Sequence, residues 1–229
     1  MTDWTRFAVF VAPSPGPFAD FTARWLGWDP AEGTERPHPD LPGLPRPAEE
    51  VTETPRKYGF HGTIRAPFRP AEGLDLPAID AQLEEMARRI PPAEIPALRM
   101  GRLGRFLALV PHGDSTPLDE MAAAVVRETN ALRAPLTKEE IARRNPDQLD
   151  ETRRALLDAW GYPHVMEAFR FHMTLTGPLH REELFSVETA LAPALMPAVP
   201  RPFRVDHLCL FGEASDGRFH LLHRYALAG

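Results

Sequence analysis

The strongest constraint on the fold of this chain is a short pattern that occurs twice, once in each half of the sequence. The copies run from Phe60 to Phe68 and from Phe171 to Leu179, and both read Phe-His-x-Thr-(Ile/Leu)-x-x-Pro-(Phe/Leu). Each copy lies in a run typical of a β-strand, which we place at 56–68 and 169–179. After each strand the sequence predicts a helix and then a β-hairpin. The chain is therefore predicted to be an internal duplication of one strand-helix-hairpin unit.

Within each copy of the motif, a histidine and a threonine are two residues apart. Side chains alternate between the two faces of a strand, so His61 shares a face with Thr63, and His172 shares a face with Thr174. The residues between them are largely apolar and are expected to anchor each strand in a core. Each strand is therefore expected to be anchored in a core and to present its histidine and threonine outward.

The rest of the chain predicts an α+β fold. We expect a single domain, 1–229, in which each half supplies a small antiparallel sheet with helices on one face. Apolar periodicity places a first strand at 6–12, hairpins at 95–110 and 203–227, and helices at 17–26, 77–89, 116–132, 147–160 and 182–195. Thr137 and Glu140 form a capping-box pattern at the start of a further helix. The proline-rich stretch 30–55 has no apolar period and is predicted to be an irregular loop or flap.

A pair of histidines suits metal-independent phosphodiester hydrolysis. One neutral imidazole can take a proton from water while a second, protonated one gives a proton to the leaving oxygen. The hydroxyls of Thr63 and Thr174 can donate hydrogen bonds to the phosphate oxygens and stabilise the charge that develops there. The equivalence of the motifs leaves open which histidine is the base. No cofactor is expected; a zinc site is the alternative, although it usually needs a third protein ligand that the spacing does not offer.

Five further residues near the two motifs are candidates for substrate binding. A cation or a hydroxyl beside the phosphate site would stabilise the bound anion. Tyr58 falls on the apolar face of its predicted strand, so a core position is its alternative role. Charged side chains near strand ends are usually solvated, which is the alternative for the cations. The candidates are Lys57, Tyr58, Arg65, Arg170 and Thr176.

Charge and composition restrict the expected partners and location. The net charge of -6 disfavours a long nucleic acid, because such binders usually carry a basic face, and it favours a small phosphorylated metabolite. No apolar run approaches the roughly 18 residues of a membrane span, and the start at Met1-Thr2-Asp3-Trp4 lacks a leader pattern. We therefore expect a cytoplasmic protein. Cys209 is the single cysteine, so no intrachain disulfide can form, and the sequence leaves the oligomeric state open.

The paired motifs resemble those of the two-histidine (2H) phosphoesterase superfamily. Within that superfamily, the stretches RKYGFHGTIRAPF, LTKEEIARR and WGYPHVMEAFRFHMTLTGPL resemble the family catalogued as DUF1045, whose members are encoded beside phosphonate-degradation genes. The resemblance spans nearly the whole chain. Gly62 departs from the pattern, because the superfamily commonly has an apolar residue there, and the glycine is expected to loosen the core side of its strand.

This resemblance implies a bilobal, LigT-like fold of two interleaved lobes with pseudo-two-fold symmetry. The same resemblance implies a central cleft between the lobes that holds His61, Thr63, His172 and Thr174. It also implies a cyclic phosphodiesterase, with ribose 1,2-cyclic phosphate 5-phosphate as the expected substrate. Two alternatives stay open: an enzyme that acts on RNA 2′,3′-cyclic ends or 2′-5′ linkages, and a phosphate-binding module without catalysis.

Overall fold

The computed structural model describes residues 4–228. Met1 to Asp3, where the sequence lacks a leader pattern, and both ends of the predicted 1–229 domain lie outside the described residues. The strands are β1 Arg6–Val11, β2 Trp28–Asp29, β3 Thr34–Glu35, β4 Gly62–Phe68, β5 Ala93–Ile95, β6 Ala97–Leu103, β7 Phe106–His112, β8 Met173–Thr174, β9 Phe203–Val205, β10 His207–Glu213 and β11 Phe219–Ala226. The helices are α1 Pro17–Leu26, α2 Ala48–Val51, α3 Glu53–Arg56, α4 Leu76–Ala87, α5 Thr116–Glu128, α6 Lys138–Ala142, α7 Glu151–Trp160 and α8 Arg181–Leu195. Short 3₁₀ turns lie at Asn130–Leu132, Pro146–Gln148, Met166–Ala168 and Met196–Ala198.

Seven strands form one antiparallel sheet in the order β11-β10-β1-β4-β8-β7-β6. The two motif strands, β4 and β8, are neighbours in the middle of this sheet. Each lies beside strands outside its own repeat unit: β8 pairs with β7 of the first hairpin, whereas β4 pairs with β1, which leads to β10 of the second. The predicted α+β class is thus observed, and the antiparallel strands of the two halves are joined edge to edge in one sheet.

Helix formation follows local sequence signals. Helix α1 buries Phe18, Trp25 and Leu26 and ends at Gly27, whose left-handed φ of 79° allows the chain to turn away. Helix α4 begins at Asp75, whose side chain accepts a hydrogen bond from the backbone N–H of Ala78. Both hydrogen bonds of the predicted capping box form at the start of α6: the Thr137 hydroxyl accepts from the Glu140 N–H, and the Glu140 carboxylate accepts from the Thr137 N–H. These helices therefore begin and end close to the predicted positions.

The core extends across both halves of the chain. One cluster of buried apolar side chains includes residues of β1, β4, β6, β7, β8 and β10 together with α1, α4, α5 and α8. A two-stranded pairing of β5 with β9 joins equivalent segments of the two repeats. Cys209 is buried, as predicted, and burial raises the pKa of its thiol to about 11. Among the helices of residues 4–228, none is both long and apolar enough to cross a membrane.

The motif strands are shorter than predicted. Strand β4 begins only at Gly62, because Gly59 has a φ of 69° in the turn that follows α3. Strand β8 contains only Met173–Thr174, because Leu175 and Thr176 both donate to the same β7 carbonyl, that of Leu107, at 2.8 and 3.3 Å. The next donor, Gly177, bonds to the Val51 carbonyl outside the sheet at 2.8 Å. The predictions of continuous strands over 56–68 and 169–179 are therefore wrong in length. The second predicted hairpin is likewise divided, with 203–205 forming the separate strand β9.

The proline-rich stretch is more ordered than a free flap. Its second half folds into α2 and α3, and Val51 and Thr52 are fully buried. Arg46 forms an ion pair of 2.9 Å with Glu183 in the first turn of α8. The Val51 carbonyl accepts the hydrogen bond from Gly177. The end of this stretch is thereby fixed to the second motif.

Candidate active site

His61 occupies the last position before β4. Its ring stacks on Phe10, with 3.9 Å between centroids, and Nδ1 lies 2.9 Å from the Gly59 carbonyl oxygen. A carbonyl oxygen can only accept, so Nδ1 carries the hydrogen and donates it. In the neutral ring Nε2 is then the acceptor, and the Thr63 hydroxyl lies 3.1 Å from it. The local structure therefore fixes both the orientation and the tautomer of His61.

His172 has a matching local setting one position before β8. Its Nδ1 lies 2.8 Å from the carbonyl oxygen of Arg170, again the residue two positions earlier. The same reasoning assigns the hydrogen to Nδ1 and leaves Nε2 free for chemistry. The ring lies 5.9 Å, centroid to centroid, from Phe106 at the start of β7. Both histidines thus present Nε2 as the working nitrogen.

The junction between β4 and β8 sets the spacing of the two histidines. Gly62 and Met173, each directly after a histidine, are the paired residues. A Cβ on Gly62 would lie 2.4 Å from a ring carbon of Phe171, nearer than real Cβ atoms approach. The expectation that Gly62 loosens its strand is therefore wrong. Its missing side chain lets the Phe171 ring pack against the strand.

A cavity of about 360 Å³ lies over this junction. His61, Thr63 and Thr174 line it, together with Tyr58 and Thr176. His172 is not among the lining residues, but Phe106, against which its ring lies, is one of them. The cavity is therefore lined by the histidine and threonine of the first motif and by the threonine of the second, while His172 lies against one of its walls at Phe106.

Burial changes the protonation of His61. The half-buried ring is surrounded by protein, and desolvation lowers its pKa from 6.5 to about 4, partly offset by the hydrogen bond to Gly59. Positive charge on His172 lowers that pKa further. His61 is accordingly neutral at pH 7 in the free protein. An anionic ligand would raise the pKa of His61, because it favours the charged imidazolium.

Tyr58 and Thr176 are placed differently from their predicted positions. Tyr58 was expected on the opposite face from His61, but no strand forms there; its ring lies 5.8 Å from that of His61 and stacks on Phe219 at 4.9 Å. The Thr176 hydroxyl donates to the Gly177 carbonyl at 2.9 Å and accepts from the Leu107 N–H at 3.0 Å. Tyr58 therefore faces the cleft, whereas the Thr176 hydroxyl is engaged by backbone groups.

The three predicted cations have different environments. Lys57 is exposed and lines a second cavity beside the cleft. Arg65 was expected to share the outward face of its strand with Thr63. A bulge in the pairing of β4 with β1 lies between these two residues, and Arg65 is only 2% exposed. Arg65 also lines the second cavity. Arg170 is exposed, donates to the Glu167 carbonyl at 3.0 Å, and lines neither cavity.

Sequence reasoning missed several residues of this region. Arg6, Arg144 and Tyr162 line both cavities, and Arg133 lines the second. They come from β1 and from segments around α6 and α7, far from either motif, so motif spacing could not find them. The one signal in the sequence was the pair of arginines at 143–144, shortly after the predicted capping box, which could have indicated a basic lining. Within residues 4–228, no three side chains of the His, Cys, Asp or Glu type gather as a candidate metal site.

Known proteins similar to this chain include two curated relatives, both named ribose 1,5-bisphosphate phosphokinase PhnN. The relative from Janthinobacterium sp. (strain Marseille) is 35% identical over 226 residues, which cover 93% of this chain and 48% of that protein. The relative from Laribacter hongkongensis (strain HLHK9) is 32% identical over 213 residues, which cover 93% of this chain and 49% of that protein. This chain thus spans about half the length of these relatives.

Two solved structures are also similar to this chain. A structure described as a phosphoesterase has a TM-score of 0.44 and 15% identity, covering 99% of this chain and 100% of that chain. The apo form of E. coli LigT has a TM-score of 0.46 and 13% identity, covering 100% of both chains.

The family match covers the second histidine motif and most of the first. The model described as "Protein of unknown function (DUF1045)" matches residues 63–220, which is more than half of the chain. It begins at Thr63, two positions after His61. The chain belongs to the DUF1045 family, as its motifs predicted.

Proposed function

We propose that this chain hydrolyses a small cyclic phosphodiester by acid–base catalysis with His61 and His172. The observation that carries the proposal is the matched setting of the two imidazoles. Each donates Nδ1–H to the backbone carbonyl two residues earlier, at 2.9 and 2.8 Å, and so keeps Nε2 for proton transfer. The residues that follow the histidines pair across adjacent strands. Thr63 and Thr174 supply hydroxyl donors to the same cleft.

In this mechanism His61 is the base. It takes a proton from water through Nε2 while the water oxygen attacks phosphorus; the Thr63 hydroxyl turns from Nε2 to a phosphate oxygen. His172 gives a proton to the ester oxygen as its bond to phosphorus breaks, which leaves a phosphomonoester and a free hydroxyl. The roles rest on burial, which lowers the pKa of His61 to about 4 and keeps it neutral, while the bound phosphate raises that pKa toward the range of an effective base.

The substrate we propose is ribose 1,2-cyclic phosphate 5-phosphate. Breaking its bond between phosphorus and O2 yields ribose 1,5-bisphosphate, the compound in the name of the two curated relatives. Because this chain matches only about half of those proteins, the kinase in their name is assigned to their other half. This sequence has no Gly-x-x-x-x-Gly-Lys-Ser/Thr loop, a common phosphate-binding element of nucleotide-dependent kinases. The two halves would then catalyse consecutive steps.

Other phosphate chemistries predict different results. An RNA-end enzyme would prefer 2′,3′-cyclic oligonucleotides, which the net charge of -6 disfavours as long polyanions. A binding module would hold a cyclic phosphate without turnover. The retention of two matched histidines, rather than threonines alone, favours catalysis over binding.

The test is turnover of a panel of cyclic phosphates. We expect higher kcat/KM on ribose 1,2-cyclic phosphate 5-phosphate than on 2′,3′-cyclic nucleotides, with ribose 1,5-bisphosphate as the product identified by phosphorus NMR. His61→Ala and His172→Ala should each lower kcat by about 10² to 10⁴, the usual contribution of a positioned acid or base. His112→Ala, at an exposed position on β7, is the matched control and should retain activity. Near-wild-type turnover by either site variant contradicts the two-histidine mechanism, and better turnover of RNA ends contradicts the sugar substrate.

A further inference from the structure

A second cavity, of about 200 Å³, adjoins the catalytic cleft. Six residues line both cavities and form their common wall: Arg6, Tyr58, Ala66, Pro67, Arg144 and Tyr162. Seven cationic side chains line the second cavity, against one carboxylate, Glu140. That carboxylate is already held by Arg69, which donates to each of its oxygens at 3.0 Å. Arg6 is likewise paired with Glu213, at 2.7 Å, so five cations of this cavity form no ion pair within residues 4–228. A chain with a net charge of -6 thus has a positive cavity beside its two-histidine site.

Arg65 is the buried cation of this second cavity. The side chain is 2% exposed, and its Nη1 atom has no hydrogen-bond partner within residues 4–228. Its Nη2 donates to the Asn130 side-chain oxygen at 3.3 Å, and that oxygen also accepts from Nε of Arg133 at 2.9 Å. Burial and the charge of Arg133 lower the pKa of Arg65 to about 10, which still leaves it charged at pH 7. Arg65 therefore shares its one neutral acceptor with Arg133, which also donates to the Ala159 carbonyl at 3.0 Å.

Such an arrangement is unfavourable without an anion. Like charges repel, and a buried charge needs a counter-charge or hydrogen-bond partners to offset its lost hydration. No carboxylate of the described chain forms an ion pair with Arg65 or Arg133. The planar guanidinium matches a phosphate with two parallel donors, which makes a phosphate the fitting counter-charge.

We infer that the second cavity binds the non-reacting phosphate of a doubly phosphorylated sugar substrate, with Arg65 as its buried anchor. This inference rests on the proposed function, because it places the reacting phosphate at the histidines. Arg65 follows Thr63 by two residues on β4, a distance of about 7 Å or less along a strand, which a pentose ring can bridge. Arg144, whose guanidinium lies 4.9 Å from the Tyr162 ring centre, stands at the boundary between the two phosphate positions. The substrate class is thus a sugar that carries phosphates at both ends.

The test compares two substrates in two variants. Arg65→Met removes the positive charge and replaces it with a flexible apolar side chain. The matched control is Arg99→Met, at an exposed position on β6. On ribose 1,2-cyclic phosphate 5-phosphate, Arg65→Met should lower kcat/KM about 10- to 100-fold, mainly through KM, as expected for lost hydrogen bonds to a charged group. On ribose 1,2-cyclic phosphate, which lacks the distal phosphate, the same variant should lose much less, because the contact that it removes is one that this substrate does not make. Equal losses on both substrates would overturn the inference.

A binding measurement separates this inference from the catalytic proposal. Ribose 5-phosphate should bind to wild type and to the His61→Ala, His172→Ala double variant, but not to Arg65→Met, in calorimetric titrations. That pattern supports the subsite even where no cyclic phosphate is turned over. Unchanged binding by Arg65→Met overturns the subsite and leaves the catalytic proposal standing, and inorganic phosphate that binds as tightly as ribose 5-phosphate overturns the sugar assignment. Arg65→Lys and Arg144→Met provide second variants, and an unchanged melting temperature reports that each one folds.

Discussion

At the scale of single residues, the two histidines share a hydrogen-bond pattern but not an environment. The ring of His61 stacks on Phe10 and is surrounded by further aromatic groups, among them Tyr58 and Phe211. Among residues 4–228, Phe106 is the one aromatic ring beside His172, and the bond of His172 to Arg170 lies at the surface. The two motifs are therefore equivalent in sequence, but the side chains packed around them give the two imidazoles different surroundings. Sequence could not show this, because the packing residues come from other strands.

This asymmetry predicts a pH-dependent stability. His61 has a pKa of about 4 in the folded protein and 6.5 in a model peptide, so between these values the unfolded chain binds the proton and the folded chain does not. Folding stability should therefore fall as the pH falls from about 6.5 to about 4, by about 2 kcal/mol for a partly exposed group. Urea unfolding of wild type and His61→Asn at several pH values measures the difference. Parallel stability curves for the two proteins would refute the lowered pKa.

At the scale of elements, the junction of β4 and β8 is built around a missing side chain. A Cβ on Gly62 would lie 2.4 Å from the Phe171 ring, which is itself 3% exposed and cannot easily move. Gly62→Ala should therefore destabilise the fold by about 1 to 3 kcal/mol, the usual cost of overpacking a core. The measurement is the free energy of unfolding in urea. In a Phe171→Leu background the same substitution should cost less, and an equal cost in both backgrounds would contradict the steric explanation.

The elements that sequence predicted well are those with local signals. Helix α1 has the predicted bounds, and the Thr137–Glu140 capping box forms as predicted, because both depend on residues within a few positions. The motif strands were predicted too long for two reasons: the turn at Gly59 delays the start of β4, and the Gly177 donor of the second motif bonds to the Val51 carbonyl outside the sheet. The face of Arg65 was missed for a related reason: a bulge opposite β1 interrupts the alternation of side chains. Non-local pairing thus limits what periodicity can predict.

At the scale of the whole molecule, duplication predicted the architecture but not how the halves join. The equivalent strands β4 and β8 pair directly, as do β5 and β9, so equivalent segments meet between the two repeats. This pairing brings the two motifs together without a separate interface. Net charge was a weaker guide, because a chain with a charge of -6 still gathers its cations from distant segments into one cavity. The sum of charges carries no information on their arrangement.

The whole chain is also expected to act without a metal ion. His61 and His172 each use Nδ1 for a backbone carbonyl, so each has a single ring nitrogen left, and the described residues place no third His, Cys, Asp or Glu with them. A zinc centre usually needs three protein ligands. Turnover of the cyclic phosphate should therefore persist after dialysis against excess EDTA, with a bell-shaped pH profile because one imidazole must be neutral and the other charged. Activity that disappears on chelation and returns with zinc or manganese would instead place this protein among the metallohydrolases.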